Sequence, residues 1–433
     1  MSLTMLGVVG MVVLVALLLM GMNVGVCMLA VGFLGYGFAI NFTAALGLLK
    51  AMPFSTIANF NLAIIPLFIL MGQFCFYSGI SSDLYETCNK WLGQLRGGLS
   101  VATIGACALF SAVCGSSPAA AATMGTVCLP EMRKYGYENG LSTGCLAAGG
   151  TLGIMLPPSI AFILYGIATG NSIGALFAAG IIPGVMLTLF YAATALIICK
   201  IDPSKGPKGE VFPMIEKVKS LKNVWAILVL FIVVIGGIFA GYFTPNESSA
   251  VGAFGAFLFL LIRRKCTLKT LGEALFGTIK TSAMILMIIL GATIFGKFLT
   301  ITRVTTNMAN GVATMDIPPL AIILMMLLIY IVLGFVMDSL AMLLLLVPIF
   351  YPIVMDLGMD PIWFGVLIVM AMETGQITPP IGINVFVIAG VAKDVPLFTI
   401  YRGVAPFLLA LLIAMAMMVA FPSLSTVLPN LLY

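Results

Sequence analysis

Two copies of one apolar unit, offset by about 222 residues, are interrupted at the same place. The run Gly-Ile-Met-Leu-Pro-Pro at residues 153–158 breaks the first copy, and Gly-Gln-Ile-Thr-Pro-Pro at residues 375–380 breaks the second. The same offset pairs Ser117 with Ser339 without a gap. Helix breakers at matching positions of two membrane repeats indicate a transport site between the repeats. The sequence therefore predicts a carrier built from two related halves.

Composition predicts an all-α integral membrane protein. Hydrophobic residues make up 62% of the chain and charged residues 8%, with a mean hydropathy of +1.20, far from the values of soluble domains. Apolar stretches are long enough for spanning helices, and the alternating segments of a barrel are absent. The chain has no histidine, no Cys-x-x-Cys pair and no nucleotide-binding glycine loop. These absences argue against an enzyme, and no nucleic-acid partner is expected.

Ten apolar segments are predicted to span the membrane, at about 4–20, 22–40, 61–79, 140–170, 173–199, 224–242, 247–262, 279–300, 362–392 and 397–421. The segments 140–170 and 362–392 exceed one bilayer thickness, as expected if each is broken near its centre. Two further apolar blocks, 99–132 and 319–354, are too long for one helix and are interrupted midway. Each of these blocks predicts a re-entrant helical hairpin.

Charge placement predicts that the two hairpins enter from opposite faces, because Lys and Arg mark the cytoplasmic side. Both ends of the first block carry basic residues, namely Lys90, Arg96, Arg133 and Lys134. The second block is flanked by acidic residues, with Arg303 as the one nearby base, and these acids are Asp316, Asp356 and Asp360. The second copy is therefore expected to be inverted relative to the first.

The resulting division is an inverted repeat with a linker. The first repeat, 1–200, comprises scaffold spans at 1–80, an arm at 81–98, the hairpin 99–132, the broken helix 140–170 and a closing span at 173–199. A basic cytoplasmic linker occupies 201–223. The second repeat, 224–433, comprises scaffold spans at 224–262, an arm at 264–278, a span at 279–300, the hairpin 319–354, the broken helix 362–392 and a closing span at 397–421. The arms are interpreted either as interfacial amphipathic helices or as solvated loops.

A helix break inside lipid leaves N–H and C=O groups unpaired, so it is expected to bind something or to line a cavity. Carbonyl groups at half-helix C-termini suit a cation, and N–H groups at half-helix N-termini suit an anionic substrate. In the first repeat we expect a cation between the tip residues Ser116 and Ser117 and the carbonyl groups of Gly153 to Leu156, with Ser159 nearby. Packing of small residues is the alternative interpretation of the two tip serines.

In the second repeat the counterparts are Asp338 and Ser339, which are expected to face Thr374, Gly375 and Thr378. Hydroxyl, carbonyl and carboxylate oxygens are the ligands that hard cations prefer. A carboxylate inside an apolar hairpin costs about 3 kcal/mol even on permissive insertion scales, which indicates a functional role for Asp338.

The predicted substrate contacts share a position at a tip or a break, and they are Ser116, Ser117, Pro118, Pro158, Ser159, Pro380 and Asn384. Glu373, the other acid in an apolar segment, is interpreted as balancing charge, relaying a proton or pairing with a base. Lys297 and Arg303 lie near the end of a span, where they are expected to snorkel to the interface. Contact with a substrate carboxylate is the alternative interpretation of Arg303.

Four stretches resemble the large membrane subunit of tripartite ATP-independent periplasmic (TRAP) transporters. They are residues 115–184, which include GSSPAAAATMG and GIMLPPS, then AIIPLFILMGQF, YFTPNESSAVGAF and TGQITPPIGINVFVIAGV. The resemblance covers essentially the whole chain. It implies an inverted-repeat elevator fold with two re-entrant hairpins in the bacterial inner membrane.

The resemblance further implies sodium (Na⁺) as coupling ion and uptake of an organic acid, such as a C4-dicarboxylate or a sialic acid. A periplasmic binding protein would deliver the substrate. A separate small four-helix membrane subunit is expected, because the chain begins at the first large-subunit span. Sodium and substrate roles then fall on Ser116, Ser117, Asp338, Ser339, Gly153, Gly375, Thr374 and Thr378.

An alternative function has the same fold but a different transport cycle. A stand-alone cation-coupled carboxylate carrier or a cation/proton antiporter would need no binding protein, and Asp338 and Glu373 would serve proton exchange. Uptake with and without partner proteins separates these functions. A channel is disfavoured, because two opposed hairpins that close on one site form a gate.

Overall fold

The computed structural model describes residues 2–313, 317–335 and 337–433. Asp316, which was used to predict the orientation of the second hairpin, lies outside these ranges. The helices of the first half are α1 (Leu3–Leu19), α2 (Val24–Ala39), α3 (Phe42–Ile57), α4 (Ile64–Ser78), α5 (Ile80–Leu92), α6 (Gly98–Cys114), α7 (Ser117–Lys134), α8 (Asn139–Met155), α9 (Ile160–Thr169) and α10 (Ile173–Ile201). A 3₁₀ turn, Phe60–Ala63, leads into α4.

The second half is also helical where it is described. Its helices are α11 (Met214–Phe231), α12 (Gly237–Phe239), α13 (Pro245–Ile262), α14 (Leu268–Thr302), α15 (Val304–Ala313), α16 (Pro319–Gly334), α17 (Ser339–Asp356), α18 (Pro361–Ile377), α19 (Ile383–Val391), α20 (Leu397–Ala420) and α21 (Ser423–Leu432). A π-helical turn, Ile232–Gly236, joins α11 to α12. The chain thus has the predicted all-α membrane fold, with two hairpins (α6–α7 and α16–α17) and two broken helices (α8–α9 and α18–α19).

The helix boundaries repeat with the sequence offset. Helices α7 and α17 begin and end at residues 222 apart, and so do α8 and α18. Helices α8 and α18 are each followed by a C-cap residue that precedes a Pro-Pro pair, Leu156 in one and Thr378 in the other, where proline disfavours continuation of the helix. The Pro157–Pro158 and Pro379–Pro380 peptide bonds are both cis. Matching breakers thus produce matching helix ends.

Hairpins and broken helices pack together with the closing spans α10 and α20 as a core bundle, which we define as α6–α10 and α16–α20. Every residue of α8 from Gly140 to Met155 is buried, between α6, α7 and α20. Helix α16 packs on α18, and α19 of the second repeat packs on α7 and α8 of the first. The two repeats therefore interleave at the broken helices.

The remaining long helices form an outer bundle, defined as α1–α4, α11, α13 and α14. Helix α2 lies along α14, and α13 lies along α4. Close approach explains the glycines of α2, since a Cβ at Gly32 would lie 2.7 Å from the backbone nitrogen of Phe295. Helices α4 and α14 also contact the core bundle, through α6 and α17.

The predicted arm 81–98 is helical up to Leu92, as α5, so the loop interpretation is wrong for this part of the arm. Thr87 donates to the carbonyl oxygen of Ser220 at 3.1 Å, and the Trp91 indole donates to that of Lys217 at 3.1 Å. Arg263, at the end of α13, forms an ion pair with Asp83. Helix α5 therefore ties the first hairpin, which it also contacts, to the outer bundle.

The structure departs from the sequence prediction at several helix boundaries. The predicted arm 264–278 and span 279–300 are one continuous 35-residue helix, α14, which Thr267 caps. Helix α11 begins at Met214, inside the predicted linker. Helices α3, α15 and α21 were not predicted. Polar residues mark the end of a membrane span, but the helix itself can continue beyond them into solvent. This explains why α14 is continuous and why α11 begins inside the predicted linker.

Eight helical stretches within the described ranges are long and apolar enough to cross a membrane. Helices α1 and α2, which were predicted as spans, are shorter, at 17 and 16 residues. The hairpin arm α17 is among the eight, although it was predicted to re-enter. Length and composition therefore establish a multi-pass membrane protein. They do not distinguish a hairpin arm that crosses the membrane from one that re-enters it.

Candidate cation and substrate site

The first hairpin tip lies against the first helix break, backbone to backbone. Gly115, with a φ of +63°, caps the C-terminal end of α6, and α7 begins at Ser117 with Pro118 in its first turn. A Cβ on Gly153 would lie 2.7 Å from the carbonyl oxygen of Ser116. A Cβ on Gly115 would lie 3.2 Å from the carbonyl oxygen of Pro158. The predicted pairing of this tip with this break is therefore present.

Two residues of the first break have structural contacts of their own. The Ser159 hydroxyl donates to the carbonyl oxygen of Ile154 at 2.5 Å and accepts from the N–H of Phe162 at 3.4 Å, which caps α9. Leu156 lines an apolar cavity with residues of α10 and α11, so its side chain takes no part in a cation site. Any ligand from Leu156 is its carbonyl group.

The second hairpin tip also packs on its helix break, but it carries the carboxylate of Asp338. One carboxylate oxygen of Asp338 accepts from the N–H groups of Leu340 at 3.0 Å and Ala341 at 3.4 Å, which caps α17. A Cβ on Gly375 would lie 2.6 Å from the Cα of Gly334, so this hairpin packs on its break as closely as the first does. The Gln376 amide donates to the carbonyl oxygen of Met337 at 3.3 Å.

The threonines of the second break donate within their own helix. Thr374 donates to the carbonyl oxygen of Met370 at 2.8 Å, and Thr378 donates to that of Thr374 at 2.6 Å. Each hydroxyl keeps its lone pairs for another partner. Tyr401 of α20 donates to the carbonyl oxygen of Pro380 at 2.6 Å, which leaves that carbonyl less free for a ligand.

One hydrogen-bond chain crosses from the first repeat to the second. The Ser117 hydroxyl donates to Oε2 of Glu373 at 2.7 Å, and the Asn384 amide donates to the Ser117 hydroxyl at 2.7 Å. Asn384 also donates to the carbonyl oxygen of Ala147 at 3.4 Å. Both hairpins therefore contact α18, the first through Glu373 and the second through Gly375 and Gln376.

Buried acceptor atoms without a donor lie on α18 and α19, next to the second helix break. Glu373 is 1% exposed, and within the described ranges its Oε1, the Oε1 of Gln376 and the Oδ1 of Asn384 are buried without a hydrogen-bond partner. Among the described residues, the ion pairs include neither Glu373 nor Asp338. Buried oxygens with no donor, next to two acids, fit a hard cation such as sodium.

A cavity of about 260 Å³ lies beside the first tip, between the core and outer bundles. Its polar lining residues are Gln73, Ser116, Thr123 and Thr281. Of the predicted substrate contacts Ser116 lines this cavity, whereas Ser117 and Asn384 lie in the hydrogen-bond chain behind the tip. Lys297 lines a different cavity, of about 370 Å³, between α9, α14 and α17.

Sequence reasoning missed three polar residues of this region, Gln73, Thr281 and Gln376. Each is a polar side chain inside an otherwise apolar helix, and that signal was available. The contact between Ser117 and Glu373 was not predictable in the same way, because 256 residues separate the two.

Comparison with known proteins gives a consistent family. The family model described as "Tripartite ATP-independent periplasmic transporter, DctM component" matches residues 11–424. The C4-dicarboxylate TRAP transporter large permease protein DctM of Pseudomonas aeruginosa is 36% identical over 379 residues, which is 87% of this chain and 88% of that protein. The sialic acid TRAP transporter large permease protein SiaM of Vibrio cholerae is 34% identical over 380 residues, 87% of each chain.

A solved structure has the same fold at low sequence identity. The YdaH transporter of Alcanivorax borkumensis superposes with a TM-score of 0.67 at 13% identity, over 88% of this chain and 89% of that one. This similarity concerns the fold alone.

Proposed function

Because the chain belongs to the DctM component family of tripartite ATP-independent periplasmic transporters, we propose that it carries out sodium-coupled uptake of an organic acid across the bacterial inner membrane. In this proposal sodium binds where the two tips meet the two breaks. The substrate binds beside the first tip. A small four-helix membrane subunit and a periplasmic binding protein complete the transporter.

The observation that carries the sodium coupling is the set of buried acceptor atoms without a donor at the second helix break. Glu373 accepts from the first tip and Asp338 caps the second, and among the described residues neither acid has a basic partner. A buried carboxylate without a countercharge is costly, and a bound cation removes that cost. An anionic substrate would be repelled by these acids unless cations bind with it. Sodium and substrate therefore favour each other, as symport requires.

The shape of the cavity supports binding of a small carboxylate. The volume of about 260 Å³ suits a small organic acid, and hydroxyl and amide groups of Ser116, Thr123, Gln73 and Thr281 supply polar contacts. The first turn of α7, which begins next to Ser116, adds N–H groups that favour a negative charge. Relatives are named for C4-dicarboxylates and for sialic acid, which sets the substrate class proposed for this chain.

The division into two bundles supports an elevator movement. In this proposal the core bundle slides along the outer bundle and carries the site from one face to the other. The cavity lies between the bundles, next to Gln73 and Phe76 of α4. Helix α4 ends beside Arg263, and the basic residues after α13 are expected in the cytoplasm. The cavity is therefore proposed to open toward the cytoplasm.

Uptake by the reconstituted transporter tests this function. The chain is co-purified with its small subunit, placed in liposomes and supplied with binding protein and a labelled C4-dicarboxylate or sialic acid. We expect uptake only with an inward sodium gradient and only when the binding protein is present. Equal uptake in potassium with a proton gradient would contradict sodium coupling. Equal uptake without the two partners would favour the stand-alone carrier instead.

A further inference from the structure

Each hairpin tip and the helix break that it packs on form one half-site. The two half-sites have similar backbone packing but differ in the charge of their side chains. At the offset of 222 residues, Asp338 of the second tip corresponds to Ser116 of the first, and Glu373 of the second break corresponds to Thr151. The Thr151 hydroxyl donates to the carbonyl oxygen of Ala148 at 2.6 Å and contacts the Tyr191 hydroxyl at 3.0 Å. The first repeat therefore has no acid at either position, and the second repeat has both.

A single hydroxyl connects the uncharged tip to one of these acids. Ser117 of the first tip donates its proton to Glu373 at 2.7 Å and accepts a hydrogen bond from Asn384 at 2.7 Å. A serine hydroxyl has one donor and two acceptor lone pairs, so one lone pair of Ser117 is still available. Donation to a carboxylate increases the negative charge on the hydroxyl oxygen, which makes that lone pair a better cation ligand.

Asn384 fixes the direction of this contact. Its amide is fully buried, and it holds the Ser117 hydroxyl from α19 while Glu373 holds it from α18. Asp338 supplies the negative charge at the second tip. The first tip has no acid of its own, so a negative charge there must come from Glu373.

We propose that Glu373 supplies, across the boundary between the repeats, the negative charge for the cation position at the first hairpin tip, and that it acts through the Ser117 hydroxyl. Glu373 is thus a positioning residue for the first cation, while Asp338 serves the second. This inference rests on the sodium coupling proposed above. It explains why an inverted repeat with two equivalent tips needs both acids in one half.

Relocation of the charge tests the proposal. Glu373→Gln removes the charge and keeps an acceptor for Ser117, so the fold is expected to survive. Ser116→Asp adds an acid at the position that corresponds to Asp338, at the N-terminus of α7, where the Ser116 side chain makes no capping hydrogen bond. The half-saturating sodium concentration is measured from the sodium-dependent rise in melting temperature without substrate, because Ser116 also lines the proposed substrate cavity. The proteins compared are wild type, Glu373→Gln and Glu373→Gln/Ser116→Asp.

We expect Glu373→Gln to raise the half-saturating sodium concentration by roughly tenfold. Adding Ser116→Asp to this variant should lower the concentration most of the way back to the wild-type value. An unchanged sodium dependence in Glu373→Gln would overturn the proposal. A raised value that Ser116→Asp does not restore would overturn it too, since a merely structural Glu373 predicts that result.

Two further measurements keep the test decisive. If Glu373→Gln does not fold, Ser116→Asp alone is used, and it should lower the half-saturating sodium concentration of the otherwise unchanged chain. No decrease would count against the proposal. If the wild type responds equally to sodium and potassium, the proposed sodium coupling itself is wrong. A sodium-dependent wild type with an indifferent Glu373→Gln variant would reject only the role of Glu373.

Discussion

Asp338→Asn is expected to leave a folded protein whose sodium-driven uptake is nearly lost. Asparagine caps a helix about as well as aspartate, so the bonds to Leu340 and Ala341 at the start of α17 persist. Only the charge is removed. A carboxylate in direct contact with a cation contributes about 4 kcal/mol at an intermediate dielectric, part of which its desolvation offsets. We therefore expect the half-saturating sodium concentration to rise by about two orders of magnitude.

A second aspartate of the same type provides the matched control. Asp360 caps α18 with one carboxylate oxygen that accepts from Ile362 at 2.7 Å and from Trp363 at 2.9 Å. It is exposed and lies at the far end of α18 from the helix break. Asp360→Asn should match Asp338→Asn in expression and melting temperature while it keeps normal sodium dependence. Similar sodium dependence in the two variants would remove Asp338 from the site.

Gly375→Ala is expected to destabilise the second half-site strongly. The added methyl group would lie 2.6 Å from the Cα of Gly334 and 2.9 Å from the carbonyl oxygen of Ile331. Both are backbone atoms, so the hairpin must move away from the helix break. Overpacking of this type costs about 1–3 kcal/mol, and the displacement also separates Asp338 from the break. We expect a lower melting temperature in sodium-free buffer and a large loss of uptake.

Gly390→Ala in the other half of the same broken helix is the control for this substitution. Gly390 is helical, and no atom lies within 4 Å of a Cβ placed there. Alanine favours the helix more than glycine does, so the melting temperature should stay equal or rise slightly. If Gly375→Ala behaved like Gly390→Ala, the close packing of tip on break would have no energetic weight.

Local signals in the sequence were sufficient for the helices of the core bundle. Proline pairs and glycines act on their immediate neighbours. Helices α7 and α17 begin at the predicted hairpin interruptions, and α8 and α18 end at the predicted breaks. The amphipathic α5 and the unpredicted α3 were harder, because partial polarity fits an interfacial helix and a loop equally well. Helix α14 merges a predicted arm with a predicted span, since hydropathy reports the membrane boundary and not the helix boundary.

The site was predicted as two separate halves, and the structure adds their connection. The pairing of Gly153 with the first tip and of Gly375 with the second follows from the repeat itself. The bonds of Ser117 to Glu373 and Asn384 join residues of different repeats, and no local pattern encodes them. Ser159, which was predicted as a ligand, donates its proton to the backbone of its own break. Long-range contacts of this kind require the folded chain.

All of these proposals require that the two hairpins enter the membrane from opposite faces. Lys134 and Asp356 end the second arms of the hairpins, are both exposed, and correspond to each other at the repeat offset of 222 residues. Each is replaced by cysteine and probed with a membrane-impermeant maleimide in right-side-out and inside-out vesicles. The native cysteines are buried or half-buried, and wild-type labelling is subtracted as background. We predict that Lys134→Cys reacts only in inside-out vesicles and Asp356→Cys only in right-side-out vesicles, whereas reaction of both from the same face would contradict the inverted repeat and the site built on it.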